Sequence, residues 1–321
     1  MRILIVKTSS LGDVVHALPV VTDLRRAYPK LAIDWCVEES FAAIPRLHPE
    51  VDRVLPVAVR RWRKALLSSS IWAEMRTFRR QLRSVDYAAI LDLQGLLKSA
   101  VIARQACGPV CGFAAEAARE PLAARFYTTS FAIPKVVHAV ERNRWLTAAA
   151  LALPLGEVLE RGLAYGIQAP PLAADWLPVA PYVVCLSATS RDDKLWPESH
   201  WLALGELLRA QGLGLVFPAG SASERERAER LAAAIPGAVA APPLAIEQLA
   251  SLLAGAVGAI GVDTGLTHLA AALAKPTVAI YTASDPGLTG VLGSAPFRNL
   301  GGKAQLPTAA AVANAFATCR Q

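Results

Sequence analysis

The chain has 321 residues, of which 54% are apolar and 18% charged, and Lys plus Arg outnumber Asp plus Glu by 33 to 26, a net charge of +7. That length suits two domains of ordinary size, and the apolar content excludes a disordered chain. A membrane-spanning reading fails on length: the longest weakly polar stretch, Leu249 to Val262, carries three glycines and stops at Asp263, short of the roughly 20 apolar residues a spanning helix needs.

The opening apolar run, Ile3 to Val6, is too short for a signal peptide, so a cytosolic protein is expected. Five scattered cysteines, Cys36, Cys107, Cys111, Cys185 and Cys319, fit a reducing compartment and not a disulfide framework. Cys107 and Cys111 have no further ligand type at metal-binding spacing, so no metal is expected there. The basic balance implies an attraction to anionic partners without choosing among phosphate, nucleic acid and acidic lipid.

Strands are predicted at 2–7, 32–37, 51–57 and 86–93, separated by segments of helical period, which is the pattern of a parallel sheet. Ile71, Met75, Phe78 and Leu82 recur at helical spacing, with Arg76, Arg79, Arg80 and Arg83 on the other side. Pro170, Pro171, Pro178 and Pro181 mark 168–181 as an interdomain linker. The alternation then restarts, with strands at 182–186, 213–218, 257–262 and 277–281 and helices at 198–211, 223–234 and 266–274. The spacing predicts an α/β protein of two doubly wound domains, 1–169 and 170–321. A ligand cleft is expected between them, at the carboxyl ends of their strands.

Three strand-to-helix junctions carry polar groups. The first strand ends in Lys7-Thr-Ser-Ser10-Leu-Gly12-Asp13, and a helix follows at once. Ser10 or Asp13 suits a helix cap, and Asp13 equally suits a general base toward a substrate hydroxyl. Helix amides would hold its pKa low.

The second junction runs from Ser187 through Thr189 and Arg191 to Lys194. Lys194 and the hydroxyls can neutralise a departing diphosphate without a metal, although a solvated loop explains the same residues. Asp192 and Asp193, flanked by Arg191 and Lys194, read as local ion pairs and not as a Mg²⁺ site. No Asp-x-Asp element occurs.

The third junction is Asp263-Thr264-Gly265-Leu266-Thr-His268. Its glycine and its helix-opening amides suit an anion, while His268 reads either as a packed helix residue or as a catalyst. Glu224 suits a ribose diol or simply a helix N-terminus. Gly212-x-Gly214 precedes a strand, so a dinucleotide fingerprint is not supported, and no Walker loop is present. The run Arg60-Arg61-Trp62-Arg63-Lys64 is either a solvated face or a surface for an anionic acceptor.

In order along the chain stand Lys7-Thr-Ser-Ser-Leu-Gly-Asp-Val-Val-His16, Arg60-Arg-Trp-Arg-Lys64, Asp92-Leu-Gln-Gly-Leu-Leu-Lys-Ser99, Arg119-Glu-Pro-Leu122 and His138-Ala-Val-Glu-Arg142. Arg191-Asp-Asp-Lys-Leu-Trp-Pro197 and Asp263-Thr-Gly-Leu-Thr-His268 follow. Together these segments resemble the lipopolysaccharide heptosyltransferases of glycosyltransferase family 9, in the combination of those that add the first heptose. The resemblance implies a GT-B fold of two Rossmann-like domains, the acceptor on 1–169 and the donor on 170–321. It implies ADP-L-glycero-β-D-manno-heptose as donor, Kdo2-lipid A at the cytoplasmic face of the inner membrane as acceptor, and inversion with no metal or other cofactor.

Carried over by position, Asp13 resembles the catalytic base and Lys194 the catalytic cation on the donor phosphates. Ser187, Thr189, Asp263, Thr264, Gly265, Leu266 and His268 resemble donor contacts, and Glu224 a ribose ligand. Ser10, Gly12, Arg60, Arg61, Arg63, Lys64 and Arg119 resemble the acceptor side. The loop Pro218-Ala219-Gly220 lacks the Trp that the resemblance implies near the adenine. The nearest rival is a GT-B heptosyltransferase with a heptose-terminated acceptor. From another class, a non-enzymatic polyanion-binding protein would exploit the net charge, but no nucleic-acid module is recognisable.

Overall fold

In the computed structural model, residues 1–65, 67–189 and 191–321 are described. They divide into two compact units, Met1–Gly166 and Ile167–Gln321.

The first unit is built on β1 (Arg2–Val6), β2 (Ala32–Glu38), β3 (Arg53–Val57), β4 (Ala89–Asp92), β5 (Val110–Phe113) and β6 (Thr129–Phe131). They form a parallel sheet in the order β3-β2-β1-β4-β5-β6. Central β1 is an unbroken apolar run because both its faces are covered, and Ile3, Leu4, Ile5 and Val6 have no exposed surface. The strand order reverses between β1 and β4, where Val6 pairs with Asp92. Beyond the carboxyl ends of these two strands lies the crevice in which doubly wound sheets bind ligands.

The second unit repeats this winding with β7 (Tyr182–Leu186), β8 (Gly214–Phe217), β9 (Val239–Ala240), β10 (Gly258–Val262), β11 (Thr277–Tyr281) and β12 (Phe297–Gly301). The order is β12-β11-β10-β7-β8-β9, again parallel, and the reversal falls between β7 and β10. Gly261 pairs with Leu186 at that point. A side chain on Gly261 would collide with Thr267 Oγ1 and with Leu186, so glycine is what lets the following helix fold back onto the sheet.

Each unit has an aromatic anchor. In the second, Trp201 packs edge-on against Trp196 at 5.1 Å and Phe217 at 6.1 Å. In the first, Trp62 meets Phe78 at 5.7 Å, so the tryptophan inside the basic run is core and holds that run to the helix Ser69–Leu82. Helix Ala139–Ala150 is tied down by Arg144, whose buried guanidinium pairs with Asp23 at 2.7 Å.

Several predicted elements are trimmed at their ends. The strand expected at 86–93 is confined to β4, with Asp86 making only an isolated bridge to Cys107. The strand expected at 51–57 begins at Arg53. The helix expected at 266–274 runs Gly265–Ala272, because Ala274 turns to φ 56° and cannot continue it. Strands β5, β6, β9 and β12 and helices Ala139–Ala150 and Ala309–Cys319 are additional to the sequence reading. Among the described residues no helix is long and apolar enough to cross a membrane.

Candidate active site

At the first switch point the chain leaves β1 through Lys7 and enters the short helix Leu11–Val15, which carries Asp13. Ser10 is its N-cap, and the Ser10 amide donates to Asp13 Oδ2 at 3.1 Å, so capping is part of what Asp13 does. Arg119 also grips the carboxylate, Nη2 donating to Oδ1 at 2.6 Å and Nη1 to Oδ2 at 3.2 Å. Burial alone would raise the Asp13 pKa. The positive charges of Lys7 and Arg119 outweigh it and bring the value to about 2, with the Ser10 amide adding less. The cations therefore do more than the helix amides that the sequence suggested.

Lys7 is the residue the sequence does not single out. Its ammonium is buried and donates to the Leu93 carbonyl at 2.6 Å and to Asn143 Oδ1 at 3.4 Å. Burial lowers its pKa to about 8, against the opposing pull of Asp13. Lys7, Asp13, His16, Gln94, Arg119, Arg142 and Asn143 line one narrow cavity of about 30 Å³, close to the volume of one water. Gln94 Oε1 accepts from the amides of Thr8 and Ser9, which fixes the loop between β1 and the helix. Arg142 stacks over Phe113 at 4.7 Å and donates to the Ala117 carbonyl. The cavity thus holds one carboxylate among three cations, a setting that attracts an anionic ligand group and keeps Asp13 ionised.

The basic run does not act as one surface. Arg60, Arg63 and Lys64 are exposed, Arg60 lying 5.2 Å from the centre of the Phe41 ring. Arg61 is held by Glu39 at 3.0 Å and Glu74 at 2.6 Å, which cancels its charge locally.

At the second switch point, Asp263 follows β10 and is the hub. Lys194 Nζ donates to its Oδ2 at 2.7 Å, Ser284 Oγ donates to the same oxygen, and His268 Nε2 lies 3.8 Å from Oδ1. Burial again opposes ionisation, but the bonds from His268, Lys194 and Ser284 outweigh it and hold the pKa far below the usual carboxylate range. The ion pairing expected among Arg191, Asp192, Asp193 and Lys194 is only partly local. Arg191 pairs with Asp193, whereas Lys194 reaches Asp263, because the short 3₁₀ turn Asp192–Lys194 points it back toward β10.

Thr189 Oγ1 donates to the Asp263 carbonyl at 3.1 Å, tying the two loops together. Ser187 Oγ is buried and has no hydrogen-bond partner among the described residues. Thr264 is the N-cap of helix Gly265–Ala272, and among the described residues no side chain caps it, so the first amides of that helix, around Gly265 and Leu266, are open to another acceptor. Glu224 caps its own helix: its Oε2 accepts from the amides of Gly220 at 2.7 Å and Ser221 at 3.1 Å. Among the described residues no group of three His, Cys, Asp or Glu side chains is placed to hold a metal ion.

Two Rossmann-like units, one with a cation-held carboxylate and the other with hydroxyls and helix amides at its switch point, match known proteins closely. Residues 75–315 fit the family described as glycosyltransferase family 9 (heptosyltransferase). The chain belongs to this family. Lipopolysaccharide heptosyltransferase 1 of Pseudomonas aeruginosa is 49% identical over 294 residues, which cover 91% of this chain and 82% of that protein. Escherichia coli heptosyltransferase WaaC with ADP superposes with a TM-score of 0.90 at 43% identity, over 99% of this chain and 100% of that one. The same enzyme with ADP-2-deoxy-2-fluoro heptose gives 0.80 at 41% identity, over 99% and 98%. The fold is accordingly GT-B, and the chain is a glycosyltransferase, a heptosyltransferase by family.

Proposed function

We propose that this chain transfers L-glycero-D-manno-heptose from ADP-heptose to a Kdo hydroxyl of Kdo2-lipid A, with inversion and without a metal, at the cytoplasmic face of the inner membrane. The observation that carries this reading is Asp13, one ionised carboxylate in a cation-lined cavity, in a chain 43% identical to a heptosyltransferase solved with ADP.

The acceptor hydroxyl forms the new bond at the anomeric carbon, and Asp13 takes its proton. A carboxylate held near pKa 2 is a weak base, so the proton moves as the carbon–oxygen bond forms and not before it. On the opposite face the bond to ADP breaks and its electron pair goes to the β-phosphate. Lys194, leaving Asp263, meets that charge together with the Ser187 hydroxyl and the amides around Thr264, Gly265 and Leu266. Thr189 and His268 keep the Asp263 loop in place for the donor, and the second oxygen of Glu224 suits the ribose. Arg119, with Ser10, Gly12, Arg60, Arg63 and Lys64 of the same unit, suits the acceptor's carboxylates and phosphates.

The test is direct. Purified chain is incubated with ADP-heptose and a Kdo-terminated acceptor in the presence of EDTA, and a heptose mass increment with equimolar ADP is expected. Transfer only to a heptose-terminated acceptor would give the chain a different place in the family, and transfer abolished by EDTA would overturn the metal-free mechanism.

A further inference from the structure

Helix Ser69–Leu82 has two unlike sides. Ile71, Phe78 and Leu82 are buried against the sheet. Trp72, Arg76, Arg79 and Arg80, with Arg83 just past the end, stand at spacings of 4, 3, 1 and 3, share another side, and are all exposed. Arginines three and four apart on a helix repel one another, so this face costs the helix stability. No acid offsets it. Among the described residues none of the four arginines forms an ion pair, and Glu74, the one acid on the helix, is taken by Arg61. Among the described residues Arg80 donates to Thr77. Arg76, Arg79, Arg80 and Arg83, with Ala73 and Thr77, line an open concavity. At the amino end of this face, Leu67 is fully exposed and Trp72 half exposed.

We propose that this face docks the enzyme on an anionic lipid surface, the four guanidinium groups meeting lipid phosphates while Trp72 and Leu67 enter the interface. Guanidinium groups match phosphate in a bidentate way, and tryptophan with an aliphatic neighbour is a combination suited to the headgroup boundary. A nucleic acid would use the same charges and would stack on Trp72, but the fully exposed aliphatic Leu67 offers no plane for a base and gains only from an apolar boundary such as lipid. The inference rests on the proposed function in that it names how the enzyme meets a lipid-borne acceptor, yet the face binds vesicles whether or not heptose is transferred.

Full-length protein is mixed with vesicles of phosphatidylcholine alone or with added phosphatidylglycerol, and the bound fraction is measured by sedimentation at low and physiological salt. Binding is expected only with phosphatidylglycerol and weakens with salt. Changing Arg76, Arg79, Arg80 and Arg83 together to Gln lowers the partition coefficient by about tenfold or more, whereas changing them to Lys keeps most of it. Trp72→Ala lowers it by a few-fold, and all three variants keep the parent rate on a short soluble acceptor. If the Gln variant fails to fold, Arg79→Glu with Arg83→Glu replaces it with the same expectation. Equal binding of parent and Gln variant, equal binding to pure phosphatidylcholine, or tighter binding to RNA through the same arginines would each overturn the proposal. Vesicle binding without heptose transfer would instead count against the proposed function alone.

Discussion

The two units wind their strands in the same order, yet their switch points are furnished in opposite ways. Beyond β1 and β4, Asp13 faces Lys7, Arg119 and Arg142, and the cavity is left with an excess of positive charge around a single ionised acceptor. Beyond β7 and β10, Asp263 is satisfied by Lys194 and Ser284 with His268 beside it, and what is left over is a buried hydroxyl and the opening amides of a helix. One site keeps an ionised carboxylate and the other keeps hydrogen-bond donors. The doubly wound sheet supplies a location, and the few residues after each strand decide its chemistry.

That contrast can be broken from either side. Asp13→Asn is the strongest blow: it should lower kcat by about a thousandfold while ADP affinity, read by calorimetry, stays within about twofold, since the second unit is untouched. Turnover within tenfold of the parent would remove Asp13 as the base. Lys194→Ala should act the other way round and weaken ADP by roughly tenfold to a hundredfold, the range for a charge-assisted hydrogen bond. Unchanged ADP affinity would take Lys194 out of the donor site.

Lys7→Met sharpens the first site. With the parent, Asp13 stays ionised down to about pH 2, so activity should be level from pH 5 to 7. Removing a cation leaves burial less opposed, so the Asp13 pKa should rise from about 2 and an acid limb should appear at higher pH than in the parent when the kcat profile is carried below pH 5. A merely structural Lys7 would lower the rate at every pH alike. The smallest effect is expected at Glu224→Gln, which retains one carbonyl for capping: about 0.5 kcal/mol of stability by denaturant titration and a two- to threefold loss of ADP affinity. A loss confined to stability would make Glu224 a cap alone.

The junctions were legible because β1, β7 and β10 are apolar runs that stop abruptly at polar residues, a pattern that buried parallel strands impose. The edge strands were not. β6 consists of Thr129, Ser130 and Phe131, and β12 contains Arg298 and Asn299, because a strand with one open side and little cover needs no continuous apolar run. The partners of Asp13 were half legible. Arg119 lies in a quoted motif, but Lys7 gains its meaning only from Leu93 and Asn143, far along the chain. Arg61 reads as one more positive charge in a run until folding brings Glu39 and Glu74 against it.

The bond from Lys194 to Asp263 means that the resting protein already satisfies the cation that the proposed function turns toward the donor phosphates. On that proposal, capture of a diphosphate is a displacement, in which an internal carboxylate must be outcompeted by a more highly charged oxyanion. Small singly charged anions gain little from such an exchange, so the pocket resists occupation by the salts of the cell while still yielding to a nucleotide.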